Sequence, residues 1–225
     1  MLLSNRQIST GEMKMSTNHA FAKSFIMLLV SIAFLYAPPI VEADQPPIEV
    51  VKAGTEKALS ILHERNPDGK LNLRARRGEI LNIVDQYFDF EEMAKRSLGR
   101  AWKYQSQQKQ DEFVRLFKDL LFNTYVDRVE NYTASDEKVV FDNQQIEGKY
   151  AVVNTRIIGY QDTDVNVDYR LTQKDGKWKV YDVIVAGISL VNNYRSQFNS
   201  ILSRKSFDEL LKTMNEKVAS LNKPA

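Results

Sequence analysis

The stretch DVNVDYRLTQKDGKWKVYDVIVAGISLVNNYR, residues 164–195, changes its hydrophobic period twice, and those changes decide the fold. Val165, Val167, Tyr169 and Leu171 alternate with Asn166, Asp168 and Arg170, the period of two that a half-buried strand requires. An Asp-Gly pair within KDGK (174–177) supplies a hairpin turn, and KWKVYDVIVA (177–186) returns as a second strand. From Val183 to Val191 no residue is charged. Beyond Gly187 the spacing lengthens to that of a helix: Ser189 is placed to cap it, and Leu190, Tyr194, Phe198, Ile201 and Leu202 share one face.

Working outward, KVVFDNQQIEGKYAVVNTRIIGY (138–160) reads as two further strands across a polar turn, giving an antiparallel meander of about four strands. Helices flank it on both sides. DQPPIEVV (44–51) reads as an extended entry to an amphipathic helix with Val51, Ala58, Leu59, Ile61 and Leu62 on its apolar side, stopped by NPDG (66–69). A second helix is predicted over Leu73–Phe88. Asp89 then caps a short helix, with Glu92 as the return half of a capping box and Gly99 as terminator. Ser106 opens the longest helix, Gln107–Asn131, whose apolar face is Phe113, Leu116, Phe117, Leu120, Leu121 and Tyr125. A second capping box, Ser206 with Glu209, starts the last helix through Phe207, Leu210, Leu211, Met214 and Val218. Helices, then a meander, then helices define an α+β fold: a single domain with the sheet packed against flanking helices.

The N-terminus reads differently. Lys14, His19 and Lys23 precede the apolar FIMLLVSIAFLY (25–36), and Val41 and Ala43 stand at −3 and −1 of a cut before Asp44. Basic, apolar and small-residue regions in that order describe a signal peptide over 1–43, with 44–225 as the exported domain and 1–12 as an upstream extension. The apolar run is short of the roughly 20 residues that span a bilayer, which leaves an uncleaved anchor as the alternative.

Composition narrows the function classes. The 225 residues carry 31 basic and 29 acidic side chains, a net charge of +2 that lacks the basic excess a nucleic-acid binder needs. The absence of cysteine removes disulfides, thiol chemistry, cysteine-ligated metals and a lipoprotein anchor. The two histidines, His19 and His63, lie far apart in sequence and form no metal-ligand pair, and no phosphate loop or nucleophile elbow is present, so neither metal nor cofactor is expected. Asp182 is the one unusual carboxylate, since it interrupts the apolar VYDVIVA. It reads either as a pinned structural group, paired with Arg170 or Arg195 or with backbone N–H groups, or as the general base of a small isomerase-like enzyme. The cations of RARR (74–77) and Lys95, Arg96, Arg100 and Lys103 read as solvated faces or as a docking surface for a partner or an anionic membrane.

What remains is an apolar surplus. Phe113, Phe117, Leu120 and Leu121 of the long helix, Val153, Val165, Val167 and Tyr169 of the sheet, and Val185, Ile188 and Leu190 of the uncharged run either fill a core or wall a cavity between sheet and helices. At this point FDFEEMAKRSLGRAW (88–102), QDEFVRLFKDLLFNTY (110–125), YAVVNTRI (150–157), VNVDYRL (165–171), GKWKVYDVIVAGISLVNNYRSQFNSIL (176–202) and FDELLKTMNEK (207–217), in that order and spacing, resemble the MlaC-type periplasmic phospholipid-binding proteins, also called the toluene-tolerance auxiliary family. The likeness runs over about 45–218, and the Ala-Thr-Pro common before the long helix is replaced here by YQSQQ (104–108). The resemblance implies a periplasmic carrier of a glycerophospholipid, tails inward in an apolar cavity walled by the eleven residues just named. It implies an outer-membrane lipoprotein–porin complex and an inner-membrane ABC transporter with an MCE-domain protein as partners, and a role in outer-membrane lipid asymmetry. A carrier of hopanoids or other lipids is the family's alternative. The resemblance brings no catalytic residue.

Overall fold

The computed structural model describes residues 45–63, 73–130, 138–160 and 163–222; the proposed export segment, the NPDG stop and Asn131 lie outside the described residues. Helix α1 spans Pro47–His63, so the expected extended entry is instead helical. Proline costs nothing in a first turn, where its missing N–H would have no helical partner. The exposed N–H groups are met locally and at long range: Pro46 O accepts from Glu49 at 2.9 Å, and the Ile48 N–H donates to Gln144 Oε1, on β1, at 2.9 Å.

Helix α2 spans Leu73–Tyr87 and α3 spans Phe90–Leu98. Phe88, expected as the end of α2, leaves the helix and bridges Val180 in the sheet, and the Asp89 N–H donates to Val180 O at 2.8 Å. That bond consumes the donor which the capping box would have used. Asp89 Oδ1 still accepts from the Glu92 N–H at 3.1 Å, but the Glu92 carboxylate turns to Arg96, at 2.8 Å, so only half of the predicted box forms. A 3-10 segment, Gly99–Tyr104, follows α3; Gly99, at φ +57°, ends the helix as expected. Helix α4, Gln107–Glu130, begins at Ser106, whose hydroxyl accepts from the Lys109 N–H at 3.4 Å.

The sheet is an antiparallel meander in the order β1-β2-β3-β4-β5. Its long strands are β1 Lys138–Glu147, β2 Tyr150–Tyr160, β3 Thr163–Lys174 and β4 Lys177–Val185, with β5, Ile188–Ser189, as a two-residue addition to the expected four. Asp175 and Gly176, at φ 51° and 74°, form the predicted tight turn between β3 and β4, whose left-handed residues match the twist of the strands. Helix α5, Leu190–Leu202, is capped by Ser189, which accepts from the Asn192 N–H at 3.1 Å. Helix α6, Phe207–Leu221, opens with a complete capping box: Ser206 Oγ accepts from the Glu209 N–H, and Glu209 Oε2 accepts from the Ser206 N–H at 2.8 Å. Those bonds hold the Glu209 carboxyl below its ordinary range.

Residues Asp44–Ala225 form one compact unit with an α+β architecture. Three apolar clusters hold it together. The largest joins α3, α4, α5 and α6 around Phe113, Phe117, Tyr194, Phe198 and Phe207. Its rings meet edge-on, with Phe113–Phe198 centroids 5.3 Å apart and Phe117–Tyr194 centroids 5.2 Å apart, the orientation favoured by the aromatic quadrupole. The second cluster packs Val51 of α1 on Ala151, Val153, Leu171, Trp178 and Val180 of the sheet. The third joins Ile61 of α1 with Ile80 and Ile83 of α2, and Phe122 of α4 packs against it. Phe117 is fully buried in the first of these. Phe117→Ala is expected to lower the unfolding free energy by about 3–5 kcal/mol, read from the denaturant midpoint, because a filled core relaxes little around a missing ring.

Candidate functional site

Directly opposed residues of an antiparallel ladder place their side chains on the same face. The register therefore sorts the sheet into rows. Ala151, Leu171 and Val180 form one; Val153, Tyr169 and Val183 the next; Thr155, Val167 and Val185 a third; Ile157 and Val165 the last. All lie on the face over which α1 runs, since Val51 packs on the first two rows. Val153, Val165, Val167, Tyr169 and Val185, with Ile188 opposite Val185, are thus brought onto one apolar face: six of the eleven residues singled out from sequence. Ile157, at period-two spacing from Val153 on β2, belongs to it as well, and so do Thr155 and Val183, which oppose Val167 and Tyr169.

The wall closes at one end and opens at the other. Ala151, Leu171, Trp178 and Val180 are buried under α1 and Phe88, and Val153, Thr155 and Val167 further along are buried too, whereas Ile157, Val165 and Val183 are half-buried and Val185 is 46% exposed. Tyr169 combines two properties. It retains accessible surface although Val153, Leu171 and Val167 around it are buried, yet burial pushes its phenol pKa up, an effect that the Thr55 hydroxyl of α1 partly offsets. The Thr155 hydroxyl on the same wall is spent on Val167 O at 2.6 Å.

The other five residues go elsewhere. Phe113, Phe117, Leu120 and Leu121 are buried in the helical cluster, and Leu190 packs against that cluster too. Ile188, on the rim of the wall opposite Val185, is 68% exposed; the Ala186–Gly187 turn joins the two, and both turn residues take positive φ, 49° and 82°. Helical periodicity identifies an apolar face correctly but cannot say which partner covers it.

The outer face of the sheet carries the polar groups. Between Arg170 and Leu171 the register slips, so that Arg170 opposes Asp182, Leu171 opposes Val180, and Tyr181 is an extra residue. This bulge sends both Tyr181 and Asp182 toward the helices while Val180 and Val183 stay on the wall. Asp182 is 2% exposed and fully engaged: Oδ2 accepts from Ser189 Oγ at 2.6 Å and meets Arg170 Nη1 at 3.3 Å, and Oδ1 accepts from the Val191 N–H at 3.0 Å. It is the pinned structural carboxylate of the two sequence readings, and the general-base reading, which needs it on the apolar face, finds it on the opposite face. Arg195 is not its partner. That guanidinium lies over Gly99, where an added Cβ would come within 3.1 Å of Nη2.

The basic segments are also largely engaged. Arg76 is buried and donates to Leu62 O, while Arg77 donates to Asn123 Oδ1 at 2.6 Å and lies over the Phe122 ring at 5.2 Å, so these two members of RARR point inward rather than to a docking partner. Arg96 stacks on Tyr181 at 4.0 Å. Arg156, on the outer face, pairs twice with Asp142 at 2.8 and 2.9 Å. A polar cleft of about 270 Å³ between α3 and the hairpins holds Lys174 against Glu91 and Asp89 and offers no apolar wall. Among the described residues no three His, Cys, Asp or Glu side chains cluster to hold a metal, and no helix is long and apolar enough to cross a membrane.

Fold and wall together define a class: an α+β protein whose meander presents one largely apolar face, partly roofed by a helix, with no charged side chain on it among the described residues. The chain belongs to the MlaC protein family, whose sequence model matches residues 52–216. It is 24% identical, over 196 residues, to the intermembrane phospholipid transport system binding protein MlaC of Haemophilus influenzae, covering 85% of this chain and 90% of that one. It is 27% identical over 183 residues to the toluene tolerance protein ttg2D of Pseudomonas putida, covering 80% and 83% respectively. Among solved structures it is similar to a phospholipid-binding protein of Ralstonia solanacearum in complex with a phospholipid, with a TM-score of 0.68 and 26% identity over 80% of this chain and all of that one.

Burial raises the phenol pKa of Tyr169, Tyr181 and Tyr194 above the ordinary value of 10.0. A group whose folded pKa is raised contributes stability that is complete below its unfolded pKa and is lost above it. The thermal midpoint is therefore expected to fall as pH rises past about 10, with Tyr169→Phe making the fall shallower. A second expectation concerns the outer face. Asp182→Ala, which strands the Val191 N–H and Arg170, is expected to cost about 3 kcal/mol in chemical denaturation.

Proposed function

We propose that this chain is an exported phospholipid carrier, holding a glycerophospholipid with its acyl tails against the apolar wall of the sheet and moving it across the periplasm between outer- and inner-membrane complexes. The observation that carries this reading is the one-sided wall of Val153, Val165, Val167, Tyr169, Val183 and Val185, closed at one end and open at the other. The likeness to a phospholipid-bound structure and to an intermembrane phospholipid transport binding protein supports the same cargo. The signal-peptide pattern over 1–43 supports the compartment.

Energetics explain why such a protein needs a wall and little else. Each buried CH₂ is worth roughly 0.8 kcal/mol, so a sixteen-carbon tail crossing water alone would cost on the order of 12 kcal/mol. A pocket that covers the tail as well as a bilayer does makes loading nearly neutral. Direction then comes from the partners, an ABC transporter with an MCE-domain protein on one side and a lipoprotein–porin complex on the other, and the carrier requires no cofactor or catalytic group of its own. The headgroup stays in water at the open end, where it needs no dedicated phosphate site. A role in maintaining outer-membrane lipid asymmetry follows from carrying lipid in this manner.

The test is lipid extraction and native mass spectrometry of the purified protein. Phospholipid is expected to co-purify with the wild type. Val165→Asp or Val167→Asp is expected to lose at least nine-tenths of it, because a carboxylate on the wall must be desolvated against an apolar tail. Asn166→Asp, between them but on the outer face, is expected to keep it. Equal lipid in all three variants would sink the assignment of the wall.

A further inference from the structure

The helical side of the molecule carries charge of one sign in two separate stretches. From Met93 to Gln110 the chain has five basic residues and no carboxylate; from Val183 to Phe207 it has Arg195, Arg204 and Lys205 and again no carboxylate. The fold joins the two stretches. The Arg195 guanidinium reaches from α5 over Gly99 at the end of α3, with Nη2 3.1 Å from where a Cβ would stand. Arg100 and Lys103 follow on the 3-10 segment, three residues apart, a spacing at which side chains eclipse and share one side. Trp102 anchors the segment from beneath, buried in the helical cluster with its carbonyl accepting from Gln110 Nε2 at 2.9 Å. Arg100, Lys103 and Arg195 are all exposed, and the Tyr104 ring beside Lys103 is 84% exposed. The acids nearby are already spent. Glu92 takes Arg96 at 2.8 Å and Lys95 at 3.6 Å, Asp208 takes Lys109 at 2.5 Å, and the buried Asp182 takes Arg170. Among the described residues Arg100, Lys103 and Arg195 have no ion pair. In a chain whose net charge is only +2, this is a local excess.

We infer that Arg100, Lys103 and Arg195, with the Tyr104 ring, form a face that docks on an anionic lipid surface. Unpaired cations meet lipid phosphates there, each worth roughly fivefold in partitioning at an anionic surface. The aromatic ring suits the same place, since tyrosine settles at headgroup level with its apolar body toward the lipid and its hydroxyl in water. An acidic protein would answer the cations equally. The exposed ring favours the bilayer, whose interface covers an aromatic side chain without a shaped pocket. Docking of this face goes beyond the carrier reading and does not depend on what the wall of the sheet holds. It leaves that wall uncovered, because α3 and α5 pack on the opposite side of the sheet.

The experiment floats the purified protein with vesicles of equal parts phosphatidylglycerol and phosphatidylcholine, and with vesicles of phosphatidylcholine alone. Each is run at low salt and at about 1 M salt, where the screening length falls to about 3 Å. Wild type is expected to float with the anionic vesicles at low salt only. Arg100→Gln with Lys103→Gln, both at exposed positions, is expected to weaken partitioning about twentyfold, and Arg195→Gln on top of them about a hundredfold in all. The double variant carries the test alone should the triple variant not fold. Lys212→Gln with Lys217→Gln, which removes the same charge from exposed positions of α6, is expected to bind nearly as wild type. Tyr104→Ser is expected to weaken flotation severalfold, and no change would overturn the part given to the ring. Wild type that stays off the anionic vesicles would overturn the proposal, as would equal losses in the α6 variant and in the Arg100 and Lys103 variant. Poly-L-glutamate, titrated against the same proteins, supplies the other arm. Binding to it through the same three cations without flotation would make the face a dock for an acidic protein and overturn the lipid assignment.

Discussion

The carboxylate of Asp182 is the joint between the two layers of the molecule. It lies on the outer face of β4, buried, and holds three groups at once: Arg170 on the neighbouring strand, the Ser189 hydroxyl and the Val191 N–H. The last two belong to the start of α5, which carries Tyr194 and Phe198 into the helical core. An anion at a helix N-terminus is stabilised by the unpaired N–H groups there, and a buried carboxylate needs such donors. Asp182 thus fixes where α5 leaves the sheet, and through α5 it fixes the packing of α4 and α6.

The bulge beside it explains how one strand serves two cores. Without the extra residue, strict alternation would put Tyr181 on the same face as Val183. With it, Tyr181 joins the helical cluster under Arg96, Asp182 takes the joint, and Val183 and Val185 return to the wall beneath α1. The two faces then do different work. The helical side is packed tightly with interlocking rings and supplies stability. The wall is covered unevenly, from buried rows beneath α1 to the exposed Val185.

That division bears on function. On the proposed carrier function, the protein has to release what it binds, so an apolar site is better built on a rigid sheet than within a close-packed core whose opening would unfold it. The helical aromatic cluster and the Asp182 joint keep the sheet's outer side fixed. The inner side meets α1, whose hold on the sheet near its start rests on Val51 and on Gln144 receiving the Ile48 N–H.

Local rules in the sequence settled a good deal. Period-two alternation placed β3, the Asp-Gly pair placed its hairpin, Ser189 and the Ser206–Glu209 pair placed two helix starts, and Val165, Val167 and Tyr169 were put on one face; each follows from interactions among residues a few positions apart. The register of neighbouring strands decided the rest. It added Val183 and Thr155 to the wall, and helix packing took Phe113, Phe117, Leu120 and Leu121 away from it, because a helix's apolar face records that it is buried but not against what. Long-range partners likewise made Pro47 a helix start, by way of Gln144, and opened the Asp89–Glu92 box, by way of Val180. Arg76 and Arg77 turned inward for carbonyl and amide partners far along the chain. Which apolar residues are core and which are wall is therefore a property of the assembled layers, since burial depends on the atoms opposite and not on the residue's own neighbours in sequence.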